Sequence, residues 1–311
     1  LIMRSVPPRV EALVNAVLGC SVQSCKSPPT GRMAETYILE LDGEPWNAVC
    51  KIGGPSVRTG DVIEDLAIRL VTATTDLPVP DVLGSGTFQG ETGFQQYWTL
   101  YEFCEGHAPM PFKSLELPVR RRILSEIGSI LGQLHTTHQF NRTGGLGRTN
   151  GDLHICDPNG LNFPEQGRRL IQLHPAYRRV DWQPVLSHGD LFPGNLLLDE
   201  DGTITGLLDW GNAHITTAGY ALARAEMRFV DWFRFPCSEQ RQLRTALRDG
   251  YRQHRDLPQD YPALAIFYKI VWLAQSTDRV CRHLLSSRGR QQMKRHVQSF
   301  LTDTSHGGVG E

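Results

Sequence analysis

The segment at residues 187–213, SHGDLFPGNLLLDEDGTITGLLDWGNA, restricts the fold more than any other part of the 311-residue chain. Asp190 is followed five residues later by Asn195, and Asp209 comes after a turn at Asp201-Gly202. Apolar runs on both sides of that turn predict a hairpin. Because a hairpin returns the chain toward its start, we expect Asp209 to face the same point as Asp190 and Asn195.

These three side chains, at this spacing, indicate phosphoryl transfer. That reaction needs an acceptor hydroxyl aimed in line and a phosphate charge neutralised by metal. One carboxylate has to reach the acceptor proton, and separate oxygen atoms have to hold Mg²⁺. The alternative is that all three residues only cap turns and a strand end, since Asp and Asn are common in turns. That alternative is the weaker one, because four residues are fixed within an eight-residue frame: His188, Gly189, Asp190 and Asn195.

The same segment resembles a known family. Its pattern is similar to the H-G-D-x-x-P-x-N motif and the following I-D-W-like element of the aminoglycoside phosphotransferase and choline kinase superfamily. The matching residues are His188, Gly189, Asp190, Pro193, Asn195 and Leu208-Asp209-Trp210. The resemblance implies an α+β, two-lobed protein-kinase-like fold, ATP as phosphate donor, Asp190 as catalytic base, and Asn195 and Asp209 as magnesium ligands. His188 is expected to pack and hydrogen-bond the loop rather than carry a proton, since Asp190 is better placed to reach an acceptor.

The resemblance extends upstream. Lys51, in Ala48-Val49-Cys50-Lys51, is similar to the strand lysine that contacts the α- and β-phosphates, and Glu64 would be its helix partner. The stretch TTDLPVPDVLG at residues 74–84 also resembles many members. Residues 100–106 resemble the hinge, whose backbone at Glu102, Phe103 and Cys104 would bind the adenine edge. An interlobe linker without nucleotide has equal local support.

The remaining pattern predicts two lobes with a cleft between them, which a chain of this length favours. Residues 1–103 are expected to form a nucleotide-binding lobe with an antiparallel sheet and one helix like the αC helix of kinases, and residues 104–311 a helical lobe with the catalytic loop and acceptor site. The predicted elements are helices over 10–18, 61–72 and 119–135, strands over 37–41 and 46–52, two strands within 88–101, and several helices within 217–300.

Several positions depart from the family pattern. The expected phosphate-covering loop, residues 30–36, has Gly31 as its one flexible residue. Gly211-Asn212 replaces the usual glutamate after Asp-Trp, and Ala221-Leu222-Ala223 lacks the usual acid. Altered local support is expected there rather than lost chemistry. Residues 150–154, NGDLH, imitate the catalytic motif, but an aspartate stands at position 157, so an irregular surface segment is expected.

Composition limits the partners. With 32 Lys and Arg against 33 Asp and Glu, no basic field draws in nucleic acid or membrane. Seven cysteines without a C-x-x-C pair predict neither a disulfide framework nor zinc, and Cys20 and Cys25 are expected on a mobile entry segment. No signal-peptide pattern and no apolar run of membrane-spanning length is found, so a cytoplasmic protein is expected. A monomer and a homodimer both remain open.

The acceptor is expected to be a hydroxylated small molecule: antibiotic-like, a sugar, an amino alcohol or a secondary metabolite. Residues 221–311 contain fifteen Lys and Arg against nine Asp and Glu, which argues mildly against a polycationic aminoglycoside. Aromatic residues at 229, 232, 233, 235, 267, 268 and 272 suit either a core or an apolar pocket. The alternative functions are a catalytically silent kinase-fold scaffold and a protein kinase. The latter is disfavoured because no A-P-E-like element follows Asp209.

Overall fold

The computed structural model describes residues 2–28, 34–53, 63–89, 95–156 and 175–283. Contacts divide the chain into two compact units. Unit 1 comprises Leu1–Phe112, Leu146–Cys156 and His188–Ala213, and unit 2 comprises Lys113–Gly145, Asp157–Ser187 and His214–Glu311. The predicted boundary at residue 103 therefore lies inside unit 1, where His107 forms an antiparallel bridge with Leu198. The predicted division into a nucleotide lobe and an acceptor lobe stays a prediction.

Unit 1 is built on an antiparallel six-stranded sheet of order β1-β2-β3-β4-β6-β5. Its strands are β1 (Ile2–Arg4), β2 (Val22–Ser27), β3 (Ala34–Leu41), β4 (Asn47–Gly53), β5 (Val82–Gln89) and β6 (Gln95–Glu102). Helix α1 (Pro8–Leu18) covers one face with Val10 and Val14. Since side chains alternate along a strand, Ala48, Cys50 and Ile52 join this core and Lys51 points to the opposite face.

One helix and two hairpins add to unit 1. Helix α2 (Glu64–Thr72) buries five residues, among them the two acids Glu64 and Asp65. Strands β7 (Gly144–Thr149) and β8 (Asp152–Cys156) are neighbours in a sheet and are joined by a turn at Asn150-Gly151, where both φ angles are positive. Strands β10 (Leu196–Leu198) and β11 (Ile204–Leu207) form the predicted antiparallel hairpin, with Leu196 opposite Leu207.

Unit 2 is mainly helical, with α3 (Leu117–Thr137), α4 (Ala218–Phe229), α5 (Cys237–Arg252) and α6 (Tyr261–His283). Strand β9 (Pro184–Ser187) pairs antiparallel with β12 (His214–Thr217). Helices α3 and α5 meet backbone to backbone, because a Cβ added at Gly128 would lie 2.0 Å from the Leu247 carbonyl oxygen and one at Gly250 would lie 1.9 Å from the Ser125 oxygen. None of the described helices is long and apolar enough to span a bilayer.

A buried charge cluster ties helices α4, α5 and α6 together. The Glu226 carboxylate is fully buried and lies 2.8 Å from both Lys269 Nζ and Arg248 Nε. Asp231 bonds Lys269 and Arg244. Burial pushes the pKa of Glu226 upward, but the Lys269 and Arg248 charges outweigh it and hold that pKa at about 2. Glu226, which lies on α4, therefore anchors this helix to α5 and α6. The first turn of α4 contains Ala221, where the resemblance leads us to expect an acid.

Most predicted elements are present, with longer bounds in three cases. Helix 10–18, strands 37–41 and 46–52, and helix 119–135 correspond to α1, β3, β4 and α3. The predicted helix 61–72 corresponds to α2, which the structure describes from Glu64 to Thr72. The predicted strand starting at Phe88 instead begins at Val82. Gly31, Asp61, the turn at 91–93 and the tail at 305–311 lie outside the described residues.

Two expectations were wrong. Cys20 and Cys25 are not on a mobile segment: both are buried in the core cluster between α1 and the sheet, and Cys25 lies in β2 opposite Leu39. Residues 150–154 are not irregular, since Asn150-Gly151 makes the tight turn of the β7–β8 hairpin. Asn-Gly is a strong pattern for such a turn, but the likeness of NGDLH to the catalytic motif hides this hairpin pattern in the sequence.

His135 provides a pH test of the α3–α5 packing. Burial, with a smaller effect of the Arg255 charge, lowers the pKa of His135 from 6.5 to about 3. Its Nδ1 shares a 3.0 Å hydrogen bond with the Tyr251 hydroxyl. Because the unfolded chain binds the proton first, acid should reduce stability from about pH 6.5 downward, with a slope from this residue of up to about 1.4 kcal/mol per pH unit.

Urea unfolding of His135→Gln at several pH values tests this. Between pH 6.5 and 4 the free energy of unfolding of the variant should fall less steeply than that of the wild type. His254→Gln, an exposed change beside the same helix pair, is the control. Equal slopes for wild type and His135→Gln would rule out a buried neutral His135.

Candidate active site

Lys51 lies between two carboxylates in unit 1. Its Nζ is 2.6 Å from Glu64 Oε2 on α2 and 2.8 Å from Asp209 Oδ1, just beyond β11. The Glu64 side chain is 5% exposed and that of Lys51 17%, whereas Asp209 is 43% exposed. The Lys51 ammonium therefore has one buried partner, Glu64, and one partner that solvent can reach, Asp209.

Asp209 has an unusual backbone. Its φ of 66° and ψ of 65° place it in the left-handed region, which few residues other than glycine, asparagine and aspartate tolerate. Such strain concentrates at functional sites. Burial favours the neutral acid, but the charge and hydrogen bond of Lys51 outweigh burial and lower the pKa of Asp209 below its usual value. Asp209 is thus a carboxylate that is ionised at neutral pH.

The loop from His188 to Asn195 is held by its own side chains. His188 is buried, its Nε2 lies 2.9 Å from the Leu208 carbonyl oxygen, and the Asp190 N–H donates to its Nδ1 at 3.2 Å. Its ring also packs on Trp210, with centroids 4.6 Å apart. Because Nδ1 accepts and Nε2 donates, the ring contacts the loop on both sides, as expected for a packing and hydrogen-bonding residue. Gly189 has a φ of 81°, a conformation that favours glycine.

Asn195 joins the loop to the strand that leads to Asp209. Its Nδ2 donates to the Asp190 carbonyl oxygen at 2.9 Å, and its own carbonyl accepts from the Leu208 N–H at 2.9 Å. One chain of contacts therefore runs from Glu64 through Lys51 to Asp209, and back through Leu208 and Asn195 to Asp190. The structure brings together the five residues that the resemblance assigns to base, metal and phosphate roles.

The oxygen atoms of this site fit magnesium that is shared with phosphate. Among the residues that the structure describes, no group of three or more His, Cys, Asp and Glu side chains is placed to hold a metal ion. Asn195 is outside that class of ligand, and its amide nitrogen is taken up by Asp190, which leaves the oxygen as its acceptor end. Mg²⁺ typically takes one or two carboxylates together with substrate phosphates, so Asp209 with Asn195 is a suitable set.

The segment predicted as a hinge follows β6 in the same unit. Glu102 pairs with Ala48, three residues from Lys51 along β4, which corresponds to about 10 Å. The Pro-rich stretch after α2 touches both ends of the site, since the Asp81 carbonyl accepts from the Glu102 N–H at 2.9 Å and the Pro78 carbonyl accepts from the Leu207 N–H at 2.6 Å. Phe103 and Cys104 are half-buried, and burial raises the pKa of the Cys104 thiol to about 11. Their role toward adenine stays a prediction.

Two residues beside this site were missed from the sequence. Asp65, next to Glu64, is buried and forms an ion pair with Arg148 on β7. The Asn150-Gly151 turn would have predicted the hairpin that carries Arg148. Nothing in the sequence paired Arg148 with Asp65, because 83 residues separate them.

The architecture defines a fold class: a protein-kinase-like fold with a β-rich N-terminal part and a helical C-terminal part, which solved structures of similar enzymes share. The phosphotransferase enzyme family model matches residues 24–267. The chain belongs to that family, and the predicted superfamily is confirmed. No curated protein is similar enough in sequence to count as a match.

Solved structures similar to this chain share its fold at low identity. Aminoglycoside phosphotransferase APH(4)-Ia, as a thermostable mutant in ternary complex with AMP-PNP and hygromycin B, is 18% identical with a TM-score of 0.63, covering 97% of this chain and 100% of its own. A microcompartment-associated aminopropanol kinase is 17% identical with a TM-score of 0.60 and coverages of 93% and 94%. Macrolide 2'-phosphotransferase MphH from Brachybacterium faecium is 14% identical with a TM-score of 0.57 and coverages of 98% and 100%.

Replacing His188 tests its packing role. His188→Leu keeps roughly the volume but removes both ring hydrogen bonds, which leaves the Leu208 carbonyl and the Asp190 N–H without this partner. Each such loss costs about 1–3 kcal/mol, so a destabilisation of about 2–4 kcal/mol is expected in urea unfolding. A loss below about 0.5 kcal/mol, as for a typical surface substitution, would contradict the role.

Proposed function

We propose that this protein is an ATP-dependent phosphotransferase that moves the γ-phosphate to a hydroxyl of a small molecule. The observation that carries the proposal is the chain of contacts that links Glu64, Lys51, Asp209, Asn195 and Asp190 within unit 1. Family membership supports the reaction class. ATP as donor is supported by the family and by the AMP-PNP complex of APH(4)-Ia.

Lys51 is assigned to the α- and β-phosphates. A lysine ammonium is a compact charge that suits a phosphate oxygen, and Glu64 orients it from a buried position. Asp209, its exposed partner, and Asn195 would hold magnesium. When bound, magnesium supplies charge neutralisation of the phosphate oxygens. The adenine edge is assigned to the backbone of Glu102, Phe103 and Cys104.

Asp190 is assigned as the base that accepts the proton of the acceptor hydroxyl. Its backbone is held on both sides, because its N–H donates to His188 and its carbonyl accepts from Asn195. Two hydrogen bonds to the main chain keep the carboxylate in a defined place without using the carboxylate itself. Positioning of that kind is the main protein contribution to phosphoryl transfer.

The acceptor class is broad. The neighbours named above act on, or bind, chemically different hydroxyl compounds, so antibiotic-like molecules, sugars, amino alcohols and secondary metabolites all remain candidates. Of the seven C-terminal aromatic residues singled out from the sequence, five are buried in the core: Phe229, Phe235, Phe267, Tyr268 and Trp272. Trp232 and Phe233 are half-buried, so an apolar acceptor pocket would draw on these two rather than on the whole set.

Paired substitutions separate the two acidic roles. Asp190→Asn should lower kcat by about 10²–10⁴ with nearly unchanged MgATP affinity, because it removes the base and no metal ligand. Asp209→Asn should weaken MgATP binding by about tenfold or more, because an amide is a poorer magnesium ligand. Asparagine tolerates the left-handed backbone at 209, so the change isolates the charge. Asp201→Asn, in the exposed turn of the same hairpin, is the control.

Release of ADP with a panel of hydroxylated metabolites measures turnover, and thermal stabilisation by MgATP measures binding, with about 2.7 kcal/mol expected at a hundredfold excess over Kd. Near wild-type turnover of Asp190→Asn on the acceptor would overturn the assignment. Stabilisation by MgATP without ADP release on any acceptor would favour the silent-scaffold alternative. A scaffold without nucleotide would show neither.

A further inference from the structure

Helix α2 begins with two adjacent acids that point in different directions. Glu64 and Asp65 are both buried, and neighbouring residues of an α-helix are rotated by roughly 100°. Glu64 therefore reaches Lys51 on β4, and Asp65 reaches Arg148 on β7. Two cations on two different strands hold one helix turn.

Arg148 is placed by the β7–β8 hairpin. Its guanidinium pairs with Asp65 Oδ1, and it also lies 5.5 Å from the centre of the Tyr97 ring on β6. The Arg148 side chain is 18% exposed and that of Asp65 3%. A planar guanidinium can bond a carboxylate and stack on an aromatic ring at once, which an ammonium cannot do as well.

The start of α2 lacks the usual support of a helix N-terminus. Ile63 stands at the N-cap position, and the described residues provide no side-chain cap there. Two ion pairs contact this first turn, and acids at this end of a helix also interact favourably with the helix dipole. A change in one pair alters the rotation of the turn that carries the other.

We propose that Arg148 is a positioning residue for Lys51: by holding Asp65 it sets the rotation of α2 that brings Glu64 to the lysine. This inference rests on the proposed function for its catalytic consequence, but its structural part concerns Lys51 alone. Arg148 contacts neither the lysine nor the proposed metal ligands in any described contact. The described route from Arg148 to the lysine runs through Asp65 and Glu64.

The reactivity of the Lys51 amine in the nucleotide-free protein tests the inference. Acylation by an amine reagent, followed at Lys51 by mass spectrometry, should be about threefold faster or more in Arg148→Met, because an amine that Glu64 no longer holds in place is more accessible to the reagent. Asp65→Asn should show the same increase and leaves no unpaired buried carboxylate, so it serves if Arg148→Met does not fold. Arg148→Lys should fall between the wild type and Arg148→Met.

The control is Arg9→Met. Arg9 likewise pairs with an acid, Glu35 at 2.5 Å, and lies 5.5 Å from the Phe88 ring centre, but it is on α1 at the other face of the sheet. This variant should label Lys51 at the wild-type rate. Equal labelling in Arg148→Met and Arg9→Met overturns the inference.

A double substitution tests the route. In a Glu64→Gln background Lys51 labelling is already raised, and adding Arg148→Met should change it less than twofold. An increase as large as in the wild-type background would mean that Arg148 acts independently of Glu64, and would overturn the inference.

With an acceptor in hand, kcat/KM for ATP should fall about tenfold in Arg148→Met and be unchanged in Arg9→Met. Failure of all variants and wild type to turn over ATP would count against the proposed function, while the labelling result still decides the role of Arg148.

Discussion

The candidate site depends on the ion pair between Lys51 and the buried Glu64. A buried carboxylate is costly unless it is paired, so Glu64 commits the first turn of α2 to the strand that carries the lysine. Asp209 completes the arrangement from the hairpin at the other side. Three chain segments that are far apart in sequence thereby meet at one ammonium. Loss of that charge would leave an acid buried at 5% exposure without its cation.

The surrounding structure keeps Lys51, Glu64 and Asp209 in place. Helix α1 covers the opposite face of the sheet, which leaves the Lys51 face for polar groups. The Pro-rich stretch between α2 and β5 bonds both Glu102 and Leu207, so the strand before Asp209 and the predicted hinge share one support. His188 then holds Asp190 against Leu208. These contacts are made by main-chain groups and by the buried His188 ring.

The sequence predicted the residues of the candidate site better than it predicted the first strands of the six-stranded sheet. Asp190, Asn195 and Asp209 lie within 20 residues, so local turn chemistry and one hairpin were sufficient to bring them near each other. The Lys51–Glu64 pair needed the family resemblance, because an isolated Lys and Glu carry little information. Strand β2 was missed since Ser24 to Ser27 has a polar composition, and its burial comes from pairing with β3. The Arg148–Asp65 contact is a long-range consequence of the fold that no local pattern contains.

The central claim is that Lys51, Asp209 and Asn195 gather around the phosphates of a bound nucleotide. Protection of Lys51 from acylation by MgATP tests it most directly. The account predicts saturable protection that follows the MgATP concentration, is much weaker with adenosine, and is lost in Asp209→Asn. Unchanged labelling of Lys51 at MgATP concentrations that stabilise the wild-type protein against heat would contradict it, because the nucleotide would then bind elsewhere.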